Sequence, residues 1–322
     1  MTRRGGGSAA PEHRSAAGLL IAMFAAATLA ACSSSATHAP AARTPSPQVP
    51  TPTAIATPTP AVKSTLADCA APVNRSALHI VHRFSVSPDD IAIDDSGRLW
   101  VSAREADQLI GMSPDGSAVS VTTVTGGPEG VAAAGSALYV AQQNVNAIEQ
   151  VTPLRRNVVT LPNHTTNAGI DGISVGATSQ TLLVPDSPNG TLLEVSLVGP
   201  PSPLVIASHL GRPVAATTGP AGVIFVANES SPGLVMVTAA GAVTEIGGFT
   251  DLDEVVAYAG LLYVTELNRH DVVAVDPTSG SSRALAVNLP APQGLAVTAD
   301  GTLEIVDATT NTLYSLPACG VA

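Results

Sequence analysis

PDDIAIDDSGRLWVSAREADQLIGMSPDG, residues 88–116, contains short apolar stretches separated by turn residues. The apolar stretches, which have the length and alternation typical of β-strands, are residues 91–93, 99–101 and 109–112. Asp-Ser-Gly at 95–97 and Pro-Asp-Gly at 114–116 supply the turns. The stretch therefore predicts three antiparallel strands joined by short connections.

The same plan recurs through the chain at a regular period. The residue before the first strand of each unit repeats every 40 to 42 positions, at Asp89, Glu129, Asp171, Arg212, Asp253 and Gln293. In every unit an apolar residue follows the end of the second strand after eight positions and again after eleven, so the connecting loop keeps one length. Six units of this size predict an all-β, six-bladed β-propeller over residues 67–322.

The two ends of this domain are expected to meet. The sixth unit contains only three strand-like stretches, whereas residues 78–84 are strand-like and belong to no unit. We expect this N-terminal stretch to complete the last blade and cover its open edge. Cys69 and Cys319 bracket the domain, which predicts a disulfide between them; two free thiols are the alternative.

The N-terminal region has the pattern of a bacterial lipoprotein. Residues 1–31 carry arginines before an apolar run at 19–29, and Leu29-Ala30-Ala31-Cys32 ends in a cysteine after small residues. The pattern predicts a signal peptide cleaved before Cys32, lipidation of Cys32 and anchoring at the extracytoplasmic face of the cell membrane. An ordinary signal peptide cut nearby is the alternative. Residues 32–66, rich in proline, threonine and alanine, predict a disordered tether.

Aromatic residues occupy one shared position in the second strands of four blades. They are Trp100, Tyr139, Phe225 and Tyr263. An aromatic ring at a constant place in a repeat is typical of packing between neighbouring blades. We interpret these residues as core rather than as a stacking surface for a ligand.

The repeat motifs resemble those of NHL-repeat and gluconolactonase-like six-bladed propellers. The resemblance rests on the P-x-G-apolar-A opening, the D-x-x-G turn and the L-[WY]-V-[AST] second strand, and it covers residues 88–316. It implies an architecture more than an activity, since propellers of this plan include lactonases, lyases, sensors and adaptors.

Two rings of side chains are expected at one mouth of the central channel, because in an antiparallel blade the first strand starts where the second ends. The inner ring is the repeating set that begins at Asp89. The second ring is Ala103, Gln142, Asp186, Asn228, Glu266 and Asp307. The rings predict a pocket for a small polar ligand or an envelope protein. Alternatively, these residues cap local turns.

A divalent cation is a further possibility at this mouth. The resemblance implies that Asp89, Asp171 and Asp253, on alternate blades, hold a metal such as calcium. Arg212, however, stands where an oxygen ligand is expected, and the Glu-Gly-Pro opening of that family's first blade is missing. Both differences count against lactonase chemistry.

Other candidates for catalysis are few. His164 and His270 lie in loops that are expected to face the same mouth and are the candidate general acid or base, with solvated bystanders as the alternative. Lys63 is the only lysine, and it lies in the predicted tether. The net charge of -11 argues against a nucleic-acid partner.

These patterns predict a lipid-anchored, extracytoplasmic propeller that binds a small polar ligand or a protein through its acidic mouth, without catalysis. A metal-dependent hydrolase or lyase of the gluconolactonase type is the first alternative. A structural component of the cell envelope that uses the rim is the second.

Overall fold

The computed structural model describes residues 63–162 and 169–321. Within these ranges the strands form six sheets arranged as the blades of a propeller, as the repeat predicted. The predicted signal peptide, the lipidated Cys32 and nearly all of the tether lie outside the described residues.

The strands occur in chain order, with four from the repeat in every blade except the last. They are β1 (Val73–Asn74), β2 (His79–Arg83), β3 (Ile91–Ile93), β4 (Leu99–Ala103), β5 (Gln108–Met112), β6 (Ser120–Thr123), β7 (Pro128–Ala134), β8 (Ala137–Gln142), β9 (Ala147–Thr152), β10 (Arg156–Thr160), β11 (Ser174–Val175), β12 (Thr181–Asp186), β13 (Thr191–Ser196), β14 (Pro203–Ser208), β15 (Pro213–Thr218), β16 (Ile224–Asn228), β17 (Leu234–Val237), β18 (Val243–Glu245), β19 (Leu252–Tyr258), β20 (Leu261–Glu266), β21 (Asp271–Val275), β22 (Ser282–Val287), β23 (Pro292–Val297), β24 (Thr302–Asp307) and β25 (Thr312–Pro317). Blade 1 is β3 to β6, blade 2 β7 to β10, blade 3 β11 to β14, blade 4 β15 to β18, blade 5 β19 to β22 and blade 6 β23 to β25.

Short 3-10 helices are the helical elements of the described ranges. They are Leu66–Asp68, Arg75–Ala77, Arg104–Ala106, Gln143–Val145, Ser187–Asn189 and Pro220–Gly222. Within those ranges, no helix has the length and apolar character required to cross a membrane.

The ring closes through the N-terminal segment, as predicted. β2 pairs antiparallel with β25 and completes blade 6, with His79 opposite Ser315. β1 also pairs, in parallel, with β22 and adds a fifth strand to blade 5, which the sequence did not predict. The predicted disulfide between Cys69 and Cys319 is present, with a Cα–Cα distance of 4.1 Å.

The hydrophobic core lies between neighbouring blades. Tyr263 of blade 5 is fully buried against the strands of blade 6, and Phe225 of blade 4 packs against blade 5. Tyr139 and Trp100 make the equivalent contacts with blades 3 and 2. The prediction that the shared aromatic position packs between blades is therefore confirmed.

Candidate functional site

An acidic neck constricts the central channel at the end where the first strands begin. Six carboxyl groups line it, from Asp89, Asp90, Glu129, Asp171, Asp253 and Glu254. The cavity at the neck has a volume of about 20 Å³, which is room for one water-sized group and too little for a sugar ring.

The close approach of the first strands makes the neck narrow. The backbone amide of Gly172 in blade 3 donates to the carbonyl of Val214 in blade 4 at 2.8 Å, and Gly130 donates to the carbonyl of Asp171 at 3.1 Å. A Cβ on Gly130 would lie 2.5 Å from that carbonyl oxygen, so this position requires glycine. In these blades, the glycine that follows the inner-ring residue is therefore a point of contact with the next blade.

Blades 1 and 5 differ from this pattern, because Asp90 and Glu254 stand where blades 2, 3 and 6 have glycine. Asp90 accepts a hydrogen bond of 2.7 Å from the amide of Val131, so its side chain makes the contact with blade 2 that a glycine amide makes elsewhere. Glu254 accepts from the amide of Val255 at 2.7 Å. Burial and the charge of Asp90 raise the pKa of Glu254.

Asp171 is the most heavily bonded carboxylate of the neck. Gln143 donates to one of its oxygens. Ser187 donates to the other at 2.8 Å, and Arg212 forms an ion pair with the same oxygen at 3.0 Å. Since both oxygens are occupied by protein donors, little of this carboxylate is left for a ligand.

Two arginines at the rim connect the neck to its surroundings. Arg104 forms an ion pair with Glu129 at 3.4 Å and donates to Gln143 at 2.9 Å. Arg212 pairs with Glu229 as well as with the carboxylate of blade 3. A polar network therefore runs around the mouth from blade 1 to blade 4.

Asp89 and Asp253 lack such partners within the described ranges. Among the described residues, no side chain or amide donates a hydrogen bond to Asp89 or Asp253. Burial and the charges of the other acids raise the pKa of Asp253 well above its usual value, and burial raises the pKa of Asp89 to about 6 and that of Asp90 to about 7. The pKa values of Glu129 and Glu254 are also raised by burial and by neighbouring acids. The neck therefore holds protons near neutral pH that a bound cation would displace.

An apolar chamber adjoins the neck along the first strands. Its volume is about 390 Å³, and its walls include Ile93, Val175 and Val256. Asp90 and Glu254 line both the neck and the chamber. The channel thus combines an acidic constriction with an apolar space of the size of a small-molecule site.

The structure brings four of the predicted inner-ring residues into the neck, namely Asp89, Glu129, Asp171 and Asp253. Arg212 reaches it through its ion pair, whereas Gln293 is half-buried and does not line it.

The second predicted ring does not reach the neck. Asp186 accepts from Asn189 at 2.9 Å and Asp307 accepts from the amide of Thr310 at 2.8 Å, so both serve turns. The others also bond or pair locally: Gln142 with Thr125 and Glu149, Asn228 with Gly233, and Glu266 with Arg269. Ala103 is buried in the core.

Sequence reasoning missed two groups of neck residues. One group follows the second ring by a single position: Arg104, Gln143, Ser187 and Glu229. The other group is Asp90 and Glu254. The repeat held a signal for the second group, since acidic residues replace the glycine of the P-x-G opening there.

Neither predicted histidine lines the neck in the described part of the chain. His164 lies outside the described residues. His270 is exposed in the turn between β20 and β21 and has a φ of 60°. The corresponding turns of blades 1, 2 and 6 have Asp107, Asn146 and Asn311 in the same left-handed conformation, so His270 occupies a turn position.

The neck does not fit a metal ion as it stands. No group of three or more His, Cys, Asp or Glu residues in the described ranges is arranged so that it could hold one. Among the predicted metal ligands, Asp171 already accepts hydrogen bonds at both of its oxygens, and the positively charged guanidinium of Arg212 lies beside it. One carboxylate without a partner, or two such carboxylates close together, can instead accept hydrogen bonds from an ammonium group.

Comparisons with known proteins show the fold. No protein-family model and no curated protein sequence matches the chain. A gluconolactonase from Xanthomonas campestris is similar in structure, with a TM-score of 0.63 at 15% identity, covering 80% of this chain and 97% of that one. A virginiamycin B lyase from Staphylococcus aureus has a TM-score of 0.54 at 15% identity, covering 71% and 79%. A chain of a nidogen/laminin complex has a TM-score of 0.57 at 17% identity, covering 64% and 83%. At such identities the likeness extends to the propeller fold alone.

Proposed function

We propose that the protein is a binding protein for a small alkylammonium ligand, without catalysis. The ammonium group would lie in the acidic neck, and the apolar part of the ligand would lie in the adjoining chamber. The observation that carries the proposal is that Asp89 and Asp253, which accept no hydrogen bond from the described residues, border a one-group cavity that continues into an apolar space.

Charge and size both support this choice of ligand. Arg104 and Arg212 already pair with Glu129 and Asp171, so the other acids of the neck carry the attraction for a cation. A cavity of about 20 Å³ excludes anything larger than one charged group, whereas 390 Å³ accommodates a short apolar chain.

The site of action in this proposal is the outer face of a bacterial cell membrane. The support is the sequence pattern at Leu29-Ala30-Ala31-Cys32 and the disulfide between Cys69 and Cys319, which is typical of oxidising compartments. A Cys32→Ser variant is expected to leave the membrane fraction, and membrane retention of that variant would contradict the anchor.

Calorimetry with butylammonium chloride tests the binding function. We expect saturable binding to the purified full chain, no binding of 1-butanol, and at least a tenfold loss of affinity in the Asp89→Asn/Asp253→Asn double variant, because charge-assisted hydrogen bonds contribute about 1.5–3 kcal/mol each. The control is Glu245→Gln, which removes one charge from an exposed strand. Equal binding by the double variant and the parent protein would refute the proposal.

A metal-dependent hydrolase or lyase is the competing function, favoured by the likeness to a gluconolactonase fold. It predicts that calcium raises the melting temperature of the parent protein and that a lactone is turned over. Both effects would disappear in Asp171→Ala. If calcium has these effects and butylammonium does not bind, the neck is a metal centre and the binding proposal is wrong.

A further inference from the structure

Blade 6 departs from the other blades at the shared aromatic position. The second strands read Leu-Trp-Val, Leu-Tyr-Val, Leu-Leu-Val, Ile-Phe-Val and Leu-Tyr-Val in blades 1 to 5, and Leu303-Glu304-Ile305 in blade 6. Glu304 therefore points towards blade 1 from the place where the other blades have an apolar side chain packed against their neighbour.

Glu304 is buried without a complete set of partners. Its exposed fraction is 4%, and its Oε2 atom has no hydrogen-bond partner among the described residues. A buried carboxylate oxygen without a donor is unfavourable unless a ligand or a proton satisfies it.

Glu304 lines an unusually large crevice between blades 6 and 1. The crevice has a volume of about 750 Å³, whereas those between blades 3 and 4 and between blades 4 and 5 have about 380 and 350 Å³. Those two crevices are lined by Leu183 and Phe225 at the shared position. The absence of an apolar side chain from blade 6 thus coincides with roughly twice the space.

The walls of the crevice are both apolar and acidic. Val81, Ile93 and Val297 supply apolar surface. Asp94 and Asp300 also line it, but both carboxylates accept hydrogen bonds within their own turns. Asp95 lines the crevice too, but it is exposed to solvent, so Glu304 is the buried acid whose oxygen awaits a partner.

The crevice does not share a residue with the neck, but it borders the adjoining chamber, since Ile93 and Val297 line both. The turn at residues 94–97, which lines the crevice, follows the end of β3, whereas the neck precedes the beginning of that strand. One buried carboxylate beside apolar walls fits an organic cation.

We propose that this crevice is a second binding site, for an arylalkylammonium ligand whose aromatic ring fills the space between blades 6 and 1 and whose ammonium group donates to Glu304. The ring replaces the apolar contact that blade 6 lacks, and the cation satisfies the unpartnered carboxylate oxygen. The crevice shares no acidic residue with the alkylammonium site at the neck, so substitution of its carboxylate tests it separately.

Binding is expected to depend on pH. Burial, reinforced by the charge of Asp300, raises the pKa of Glu304 to about 8. The other ionisable groups that face the crevice are Asp94 and Asp95 of blade 1 and His79 of β2. Since the carboxyl group must lose its proton to receive a cation, affinity increases as the pH rises from 6 towards 8.

Calorimetric titration of the purified full chain with benzylammonium chloride tests the site. We expect saturable binding at pH 8.5, weaker by at least tenfold at pH 6.5. Glu304→Gln, which keeps the shape and removes the charge, should weaken binding at pH 8.5 by about tenfold or more. Glu304→Tyr, which restores the residue type of blades 2 and 5, should abolish binding in the crevice, because it removes the carboxylate and narrows the space beside it.

Butylammonium separates the two sites. We expect Glu304→Tyr to bind it like the parent protein, since the neck is unchanged, and this result would stand whether or not the crevice binds a ligand. Failure of benzylammonium to bind the parent protein would overturn the crevice site. Equal binding by the parent protein and Glu304→Gln would overturn it as well.

Discussion

Among single residues, Glu304 shows most clearly how position determines chemistry. It occupies the interblade position of Tyr263 and Phe225, both of which are buried. Burying a carboxyl group removes its hydration, so the protonated form is favoured and the pKa rises from 4.5 to about 8. Glu304, which stands where the other blades have an apolar side chain, therefore both widens the crevice and places there an acid that is neutral in the native protein at physiological pH.

This raised pKa predicts a pH-dependent stability. Above pH 4.5 the unfolded chain releases the proton of Glu304 and the native protein retains it until about pH 8, so rising pH favours unfolding across this window. The free energy of unfolding should fall by up to about 5 kcal/mol from this group alone. Urea denaturation of Glu304→Gln should show greater stability than the parent protein at pH 9 and near-equal stability at pH 4.

A surface glutamate provides the control for this measurement. Glu245 is exposed in β18, and Glu245→Gln should follow the parent protein at both pH values. If Glu304→Gln also follows the parent protein at pH 9, the carboxyl group of Glu304 is not held in a protonated, buried state.

The inner ring could be predicted residue by residue only in part. The repeat spacing placed Asp89, Asp171 and Asp253 at one mouth because equivalent positions of a propeller share one radius. Glu254 was missed because the pairing of β19 with β20 shifts register between Leu252 and Val255. Such a bulge presents two successive residues to the same space, so the repeat spacing alone does not reveal the second one. The acidic residue at the glycine position of the opening is the signal that could have revealed it.

At the scale of the strand, the second ring shows the effect of a one-residue difference. Asp186 is the last residue of β12 and Ser187 is the first residue of the 3-10 helix that follows, so their side chains reach different partners. Asp186 bonds Asn189 in its own turn, whereas Ser187 bonds the neck carboxylate Asp171. The sequence established which strands end at the mouth, but the direction of the last residue depends on the turn that follows.

The contacts between first strands give a second element-scale prediction. A Cβ on Gly130 would lie between 2.5 and 2.7 Å from three backbone atoms of residues 171–173 in blade 3. Because those atoms belong to a neighbouring strand and cannot rotate away, Gly130→Ala should force the two strands apart. We expect a loss of about 1–3 kcal/mol in the free energy of unfolding, measured by urea denaturation.

Gly248 is the matched control for this substitution. A Cβ at that position would meet no atom within 4 Å. Gly248→Ala should therefore leave the stability within about 0.5 kcal/mol of the parent value. Equal effects of the two substitutions would mean that close approach at the neck does not determine the need for glycine at Gly130.

For the whole molecule, closure of the ring was predictable from the number of strands in each repeat unit. A propeller whose last unit has three strands needs a fourth from elsewhere, and residues 78–84 were the strand-like segment that remained. The fifth strand of blade 5 was not predictable in this way, because a complete blade requires no further strand. The pairing of β1 with β22 is parallel and involves only Val73 and Asn74.

The disulfide adds a covalent closure to the one made by β2. Cys69 and Cys319 are separated by 250 residues, so the bond removes considerable freedom from the unfolded chain, on the order of 5 kcal/mol in the chain-entropy model. β2 still pairs with β25 when the bond is absent, so the Cys69→Ser/Cys319→Ser variant should keep its β-sheet circular dichroism at 25 °C. Its melting temperature should fall by about 10 °C or more. Reduction of the parent protein should reproduce this shift and leave the double variant unaffected, whereas an unchanged melting temperature in both would show that the strands alone maintain the ring.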